Sequence, residues 1–418
     1  MFTTFWERVR AFAIGNVVHL PNHSIVFPDE KELIISDRQW TALPDSLACL
    51  TALCGLSVLG CNMITRLPDS VGQLVSLRVL CVSNCDAIRE LPEALGQLAE
   101  LTTLRIRGCS LTKLPESLGD LPALTSLMVA DCQFEAFPTS MRRLRSLHVL
   151  RLEHCPRLAQ LPECTTLQLD ITRCNALTHA PALLFSKMEE LRVYGRCGAL
   201  DLRAVQFPYL RLLTCSYTHL PQLHIPSLRQ LQIQACGSME RLPSLSLYLT
   251  HLYMSYCPLL SDLPDSLGQL AAMQVLGLLE CHALLRLPES LGQLAVLRHL
   301  SIVGCDRLTC LPESIGRLSQ LTVLDIEDCP RLRCLPSSFG QLTALDVLNI
   351  KGSPLNWLRS PLRLGGVASV LDLYQRHHAP PQVLVLLLVA RTTGGRHVSE
   401  ELWCTIMDWM NVKCLCCA

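Results

Sequence analysis

Cysteine and histidine are the residues of this chain most able to do chemistry, because thiolates and imidazoles serve as nucleophiles, bases and metal ligands. The 418 residues include 23 Cys and 13 His, and two pairs are sequence neighbours, His154-Cys155 and Cys281-His282. A catalytic Cys needs an exposed, electropositive site. The chain also has no H-E-x-x-H, no G-x-S-x-G, no dinucleotide-binding Gly loop and no paired C-x-x-C. We therefore predict no enzyme, no metal site and no cofactor.

Thirteen of the cysteines recur on or near one position of a repeating pattern. They are Cys61, Cys85, Cys109, Cys132, Cys155, Cys174, Cys197, Cys215, Cys236, Cys257, Cys281, Cys305 and Cys329. This regularity predicts a structural ladder of reduced thiols, each a weak donor to the backbone of the next repeat. Disulfides between neighbouring copies are not expected, because their Cβ vectors run side by side instead of converging to roughly 3.8 Å.

The pattern around each cysteine is L-x-x-L-x-L-x-x-C-x-x-L, and a Leu-Pro pair follows it. Leu101, Leu104, Ile106 and Cys109 form one copy. The Leu-Pro pair begins at Leu43, Leu67, Leu91, Leu114, Leu161, Leu242, Leu263, Leu287, Leu311 and Leu335, with Phe137 in the place of Leu once. This is the leucine-rich repeat, whose period is about 20 to 29 residues.

The spacing within one copy predicts its local structure. Leu104 and Ile106 alternate with Thr103, Arg105 and Arg107, which indicates a short strand with its apolar side chains inward. Pro cannot lie inside a central strand, so the chain turns at Leu-Pro and makes a short helical turn after it. Stacked repeats share a core that one repeat cannot bury alone. The predicted fold class is α/β, a leucine-rich-repeat solenoid (horseshoe) with a concave parallel β-sheet of about fourteen strands, short helical or irregular convex segments and capped ends.

The block from Leu287 to Leu308 resembles the repeats of plant intracellular nucleotide-binding leucine-rich-repeat immune receptors. It also resembles the intracellular Ras-group-related leucine-rich-repeat proteins, and the resemblance covers about residues 43–353. In both families, the surface formed by such repeats implies recognition of a partner protein. Only about forty residues precede the first repeat, and no G-x-x-x-x-G-K-[ST] phosphate loop occurs. We therefore do not expect a complete receptor of that type.

The strand positions that flank the inward residues predict where a partner binds. Arg and Tyr, which are over-represented at binding hot spots, are frequent at these positions in the centre of the chain. The predicted partner-binding residues are Arg105, Arg107, Arg151, Glu153, Arg192, Tyr194, Arg211, Gln230, Gln232, Gln234, His251 and Tyr253. The alternative is that these are ordinary solvated strand residues, since the alternation itself places polar side chains on the outer face.

The ends differ from the repeats. We divide the chain into an N-terminal cap at 1–42, a leucine-rich-repeat domain at 43–360, and a C-terminal helical cap or docking segment at 361–418. Residues 398–410 faintly resemble the first helix of an F-box, although the Leu-Pro opening of that motif is missing. This resemblance implies an alternative function, a substrate-recognition adaptor of a ubiquitin ligase that docks through its C-terminal helices.

Composition sets the expected compartment and partner. Lys+Arg and Asp+Glu each number 36, so the net charge is +0. A balanced charge gives no general electrostatic attraction to nucleic acid. The N-terminus carries charges where a signal peptide needs an apolar core, and the apolar run at 383–390 is far shorter than the roughly 20 residues of a membrane span. We expect a cytoplasmic protein whose partner is another protein, with no nucleic acid, no membrane span and no small-molecule ligand. Its expected role is a recognition scaffold in signalling or immune-type recognition.

Overall fold

The computed structural model describes residues 24–27, 31–36, 40–195, 200, 202, 205–216, 225–237, 239, 242 and 245–355. Most of the predicted N-terminal cap, all of the C-terminal segment 361–418 with its F-box-like stretch, and Cys197 lie outside these residues. The chain divides into two compact units, Met1–Leu228 and Arg229–Ala418. Each unit is built from the same repeat.

The first unit carries one sheet. Its strands are β1 (Ser24–Phe27), β2 (Glu32–Ile35), β3 (Gly55–Leu59), β4 (Val79–Cys85), β5 (Thr103–Cys109), β6 (Ser126–Ala130), β7 (Val149–Glu153), β8 (Gln168–Thr172), β9 (Glu190–Tyr194) and β10 (Leu212–Ser216). β1 pairs antiparallel with β2. From β2 to β10 every strand is parallel to the next one in the chain.

The second unit continues the pattern. Its strands are β11 (Gln230–Gln234), β12 (His251–Ser255), β13 (Val275–Leu279), β14 (His299–Val303), β15 (Val323–Glu327) and β16 (Val347–Asn349). All pair in parallel with their chain neighbours. The strands of the repeat run from β3 to β16, which is the predicted fourteen. The leucine-rich-repeat solenoid fold is thereby confirmed.

Nine of the described repeats contain a short 3-10 helix between consecutive strands, and one contains a turn of α-helix. They are η1 (Asp45–Cys49), η2 (Asp69–Gln73), η3 (Glu93–Gln97), η4 (Glu116–Asp120), η5 (Thr139–Arg143), α1 (Ala182–Phe185), η6 (Asp265–Gln269), η7 (Glu289–Gln293), η8 (Glu313–Arg317) and η9 (Ser337–Gln341). A proline with extended dihedral angles precedes each one, such as Pro92 before η3 with φ −70° and ψ 146°. The predicted turn after Leu-Pro is therefore confirmed.

The core lies between the strands and these turns. Leu104 and Ile106 of β5 are completely buried, and so are Leu118 of η4 and the equivalent apolar residues of neighbouring repeats. Burying a Leu or Ile side chain contributes about 1.5 to 3 kcal/mol. The repeated leucines are therefore the main source of stability, and the strand positions between them are free to carry function.

In four of the five Leu-Pro-Glu sequences, the glutamate joins one turn to the next. The carboxylate of Glu93 accepts the backbone N–H groups of Glu116 at 3.2 Å and Ser117 at 2.8 Å. The carboxylate of Glu313 accepts those of Ser337 at 3.0 Å and Ser338 at 3.1 Å. The first N–H groups of a helix have no partner within the helix. Each Glu thus caps the helix of the following repeat, a role that sequence reasoning missed.

The cysteine ladder is present, but its hydrogen bonds run in the opposite direction to the one predicted. The thiol of Cys305 points to the carbonyl of Leu278, in the preceding strand, at 3.8 Å. The same thiol also points to the carbonyl of Val303 in its own strand at 3.8 Å, so the side chain faces its own and the preceding strand rather than the following one. None of the described cysteines forms a disulfide.

Cys215 is not a member of this ladder. It lies inside β10 directly opposite Val193, at an inward position of the strand. Ser216 follows it, and its hydroxyl accepts the Gly195 backbone N–H at 2.7 Å. The prediction failed here because the repeat spacing is irregular, so a cysteine near the expected position occupies a different place in the strand.

Candidate partner-binding face

The outward strand residues of the first unit form parallel rows, which we call the first strand face. The parallel register makes each member a neighbour of the next. The middle row is Ser57, Cys81, Arg105, Met128, Arg151, Asp170, Arg192 and Thr214. The row beside it is Leu59, Ser83, Arg107, Ala130, Glu153, Thr172 and Tyr194. Six of the predicted partner-binding residues lie in these two rows.

Two of the predicted arginines are held by one carboxylate. Oδ2 of Asp170 accepts from Nε of Arg151 at 3.0 Å, and Oδ1 accepts from Nη1 of Arg192 at 3.3 Å. Gln168 donates to the same carboxylate from Nε2 at 3.0 Å, and Glu190 pairs with Nη2 of Arg192 at 2.8 Å. Only 19% of the Asp170 side chain is exposed. The guanidinium groups are therefore fixed in position on the face.

A second group forms around Asp131, at the end of β6. Its carboxylate accepts from Nε of Arg107 at 3.2 Å and contacts Nδ1 of His154 at 2.9 Å. Nη2 of Arg107 lies 3.9 Å from Glu153, two strands away. The residue between them in the row is Ala130, whose short side chain leaves the path open. Arg107 and Glu153, which are both predicted partner-binding residues, thus lie together on the first strand face.

Arg105 differs from Arg107, Arg151 and Arg192, the other arginines of the two rows. It is exposed on β5, between Cys81 and Met128 in the middle row. In the part of the chain that the structure describes, no carboxylate pairs with it. Its charge is therefore not neutralised by a neighbour, unlike the charges of Arg107, Arg151 and Arg192.

Arg211 lies outside the rows. β10 begins one residue later, and Thr214 rather than Arg211 is the middle-row neighbour of Arg192. Arg211 is exposed and its Nη1 lies 3.8 Å from Glu189. The predicted strand position of Arg211 is therefore wrong, because a shift of one residue along a strand exchanges its two faces. Thr214 itself is fully buried.

The remaining predicted residues lie on the second unit, whose outward rows we call the second strand face. Gln230, Gln232 and Gln234 occupy β11, and their partners on β12 are His251, Tyr253 and Ser255. Tyr253 is 36% exposed. Its ring lies 6.5 Å from that of His251, measured between centroids. The two faces therefore differ, the first rich in ion pairs and the second in amides and rings.

The imidazole of His251 titrates below its ordinary range. Burial is the larger cause of the lowered pKa, and the nearby His299 is the smaller one. Nδ1 of His251 lies 2.8 Å from the hydroxyl of Thr250. This imidazole is consequently neutral near pH 7, and it contributes hydrogen bonding rather than charge to the face.

One recurring position escaped the sequence analysis. The residue just before each ladder cysteine has a positive φ, for example 54° at Asn84, 52° at Asp131 and 49° at His154. This left-handed conformation suits Gly, Asn and Asp best. The signal was in the sequence, because Gly, Asn or Asp stands there in several copies. The position matters since it places Asp131 and His154 at the rim of the first strand face.

The two Cys–His neighbours do not form catalytic pairs. Cys155 and Cys281 are completely buried. His154 contacts Asp131 instead, and His282 lies between Glu280 at 3.3 Å and Asp306 at 3.0 Å. Over the described residues, no group of His, Cys, Asp and Glu is arranged to hold a metal ion. No helix within the same residues is both long and apolar enough to cross a bilayer.

Family models match two parts of the chain. A leucine-rich repeat region model matches residues 71–196, and a Leucine Rich Repeat model matches residues 248–270. Together with the repeated strand and turn of both units, these matches support the leucine-rich-repeat fold. Such repeats typically form non-enzymatic surfaces that bind protein partners. A comparison with curated proteins finds no match.

Several solved structures are similar in fold. A leucine-rich-repeat protein of Leptospira interrogans is 22% identical, with a TM-score of 0.42 and 76% of each chain covered. The plant peptide hormone receptor RGFR1 in complex with RGF2 is 17% identical, with a TM-score of 0.37. The match covers 79% of this chain and 72% of that chain. The TLR13–ssRNA13 complex is 17% identical, with a TM-score of 0.45. The match covers 75% of this chain and 56% of that chain.

These likenesses do not identify what this chain binds. The resemblance to plant immune receptors and to Ras-group-related proteins gains nothing from them. The absence of nucleic-acid binding also stays a prediction.

Proposed function

We propose that this protein is a cytoplasmic recognition scaffold, acting in signalling or immune-type recognition, that binds a partner protein on its strand faces. The observation that supports this proposal most directly is the ordered set of Arg151, Asp170 and Arg192 in the exposed middle row.

Binding a partner costs free energy because interface side chains lose conformational freedom. Immobilising a long side chain at an interface costs about 0.5 to 1.5 kcal/mol. Asp170 already holds Arg151 and Arg192, so a partner would find them largely ordered. Arg151 uses only Nε in this pairing, and 47% of its side chain is exposed. Since a guanidinium has five N–H donors, Arg151 retains donors for a partner.

A set of four substitutions tests this proposal. Arg105, Arg151, Arg192 and Tyr253 are replaced together by Ala, and proteins labelled by a proximity enzyme fused to the full chain are compared with the parent. The matched control replaces Arg66, Arg142, Arg317 and Tyr248, which are exposed but outside the outward rows. We expect the partners to be lost only from the first variant. Identical partner sets for both variants would refute binding on the strand faces.

The adaptor function is the second candidate. It depends on the F-box-like stretch at 398–410, which lies outside the described residues. A chain ending at Ser360 separates the two functions. Loss of cullin-type ligase components upon truncation, with other partners retained, would favour the adaptor. Retention of every partner would leave the C-terminal segment as a cap.

A further inference from the structure

The outward positions of β3, β4, β5 and β6 carry no carboxylate, and all twelve of them are described. They are Gly55, Ser57, Leu59, Val79, Cys81, Ser83, Thr103, Arg105, Arg107, Ser126, Met128 and Ala130. We call this surface the β3–β6 patch. The nearest acid on the β2 side is Glu32, which lies against Gly55 at the edge of the patch. The charges of the patch itself are therefore two arginines.

These two arginines have different surroundings. Arg107 is directed toward Asp131 at 3.2 Å and Glu153 at 3.9 Å, beyond the patch. Arg105 has no ion pair within the described residues. An Arg whose charge is uncompensated pairs strongly with a carboxylate, through two parallel N–H···O bonds. Arg105 is thus the one guanidinium of the first strand face with all its charge available to a partner, as far as the structure describes the chain.

The neighbours of Arg105 are short or flexible. Cys81 and Ser83 precede it on β4, and the Cys81 thiol lies 3.4 Å from the Ser83 hydroxyl. Met128 and Ala130 follow on β6. Short side chains allow a partner backbone to come close to the sheet, and thioethers adapt to irregular surfaces. The patch therefore fits an extended peptide segment better than a bulky polyanion.

We propose that the β3–β6 patch binds an acidic segment of the partner protein, with an Asp or Glu carboxylate of that segment on Arg105. This proposal rests on the proposed function, since it names the kind of partner surface that the first strand face would take. Charge complementarity supports it, because Arg105 is the one cation of the patch that no carboxylate of the described residues neutralises.

A nucleic acid is less compatible with this charge distribution. Binding a phosphate backbone requires several cations in a row. Beyond Arg105 the face alternates in charge, and Asp131, Glu153, Asp170 and Glu190 would meet the next phosphates. A single protein carboxylate needs only one cationic side chain, which Arg105 provides.

Peptide selection on the full chain tests the proposal. A phage-displayed random peptide library is panned on the parent chain and, separately, on Arg105→Gln. We expect the parent to enrich peptides that share one Asp or Glu, and Arg105→Gln to bind these peptides about tenfold more weakly. The control Arg107→Gln should change their affinity much less, because Arg107 is already paired. Thermal unfolding should show that Arg105→Gln is as stable as the parent.

Two further arms make the result decisive. A selected peptide with Asn or Gln in place of its acid should bind the parent as weakly as the original peptide binds Arg105→Gln. A Lys at that peptide position should restore binding to Arg105→Glu. Enriched peptides without an acid, or unchanged affinity of Arg105→Gln, would overturn the inference while leaving the proposed function intact. Binding of a single-stranded RNA oligomer that depends on Arg105, without acidic peptides, would overturn it in favour of nucleic acid.

Discussion

The ring of Tyr253 lies across Gly277, its partner on the neighbouring strand of the second strand face. A Cβ at residue 277 would be 2.7 Å from Cδ1 of the ring and 3.3 Å from Cε1. Real Cβ atoms do not come that close to another carbon. Glycine therefore allows this exposed ring to rest on the sheet, and it holds one of the predicted partner contacts in place.

Gly277→Ala tests this relationship. We expect a loss of about 1 kcal/mol in the free energy of unfolding, since the ring must be displaced. The same change in a Tyr253→Ala background should cost almost nothing, which a double-mutant cycle in urea would measure. Gly237→Ala is the control, because no atom lies within 4 Å of a Cβ there. An equal cost in both backgrounds would mean that the ring is not the obstacle.

The glutamate that caps the next turn gives a second prediction. Glu313→Gln should lower the free energy of unfolding by about 1 kcal/mol, because two charge-assisted hydrogen bonds to the N–H groups of Ser337 and Ser338 are weakened. Asp265→Asn is the matched control. It removes a charge at the same position of η6, and in the described structure Asp265 makes no hydrogen bond to the next turn. Equal losses from both substitutions would mean that net charge, rather than capping, is responsible.

The same glutamate should make stability depend on pH. Burial opposes ionisation of Glu313, but the hydrogen bonds from Ser337 and Ser338 outweigh it and hold its pKa below the ordinary 4.5. Because the folded state binds this proton more weakly than the unfolded state, the contribution is complete well above pH 4.5 and is lost as the pH falls from there through the lowered pKa of the folded state. The stability difference between the parent and Glu313→Gln should shrink between pH 5 and pH 3. A constant difference would contradict the capping role.

Asp170 is the residue on which the first strand face depends most. Asp170→Asn leaves Arg151 without its carboxylate partner and leaves Arg192 with Glu190 alone, so we expect a loss of about 1 to 2 kcal/mol in the free energy of unfolding. Asp346→Asn is the control, since Asp346 is exposed and in the described part of the chain has no ion pair. Urea unfolding of the two variants would measure the effect. Equal stability of the two would show that the arginines are merely solvated.

The fold was predictable because the L-x-x-L-x-L spacing sets the strand, its inward side and the turn after Leu-Pro within a single repeat. The pairing of Arg151 with Asp170 was not predictable in the same way. It depends on the register between repeats whose lengths differ, and a shift of one residue, as at Arg211, changes the face of a side chain. Arg105 was found by its position alone, whereas its lack of an acidic neighbour needed the positions of Asp131 and Glu153.

The ladder cysteines should resist alkylation in the folded protein. Burial raises the pKa of Cys85 to about 11 and that of Cys109 to about 12, each by more than the backbone hydrogen bond lowers it. The thiolate is the reactive form, so at pH 8 these residues hold very little of it. Cys49 is exposed and serves as an internal reference. Treatment with iodoacetamide at pH 8, read out by peptide mass spectrometry, should modify Cys49 before the ladder cysteines, which should react only in denaturant.

The denaturant dependence of this reaction would also show how the repeats open. If the ladder cysteines become reactive together, the repeats of the first unit unfold cooperatively, as expected for neighbours that share one core. If Cys85 reacts well before Cys109, opening proceeds repeat by repeat from one side. Rapid modification of both in native buffer would contradict their burial, because a thiol that is 0% or 2% exposed can react only when its strand end opens.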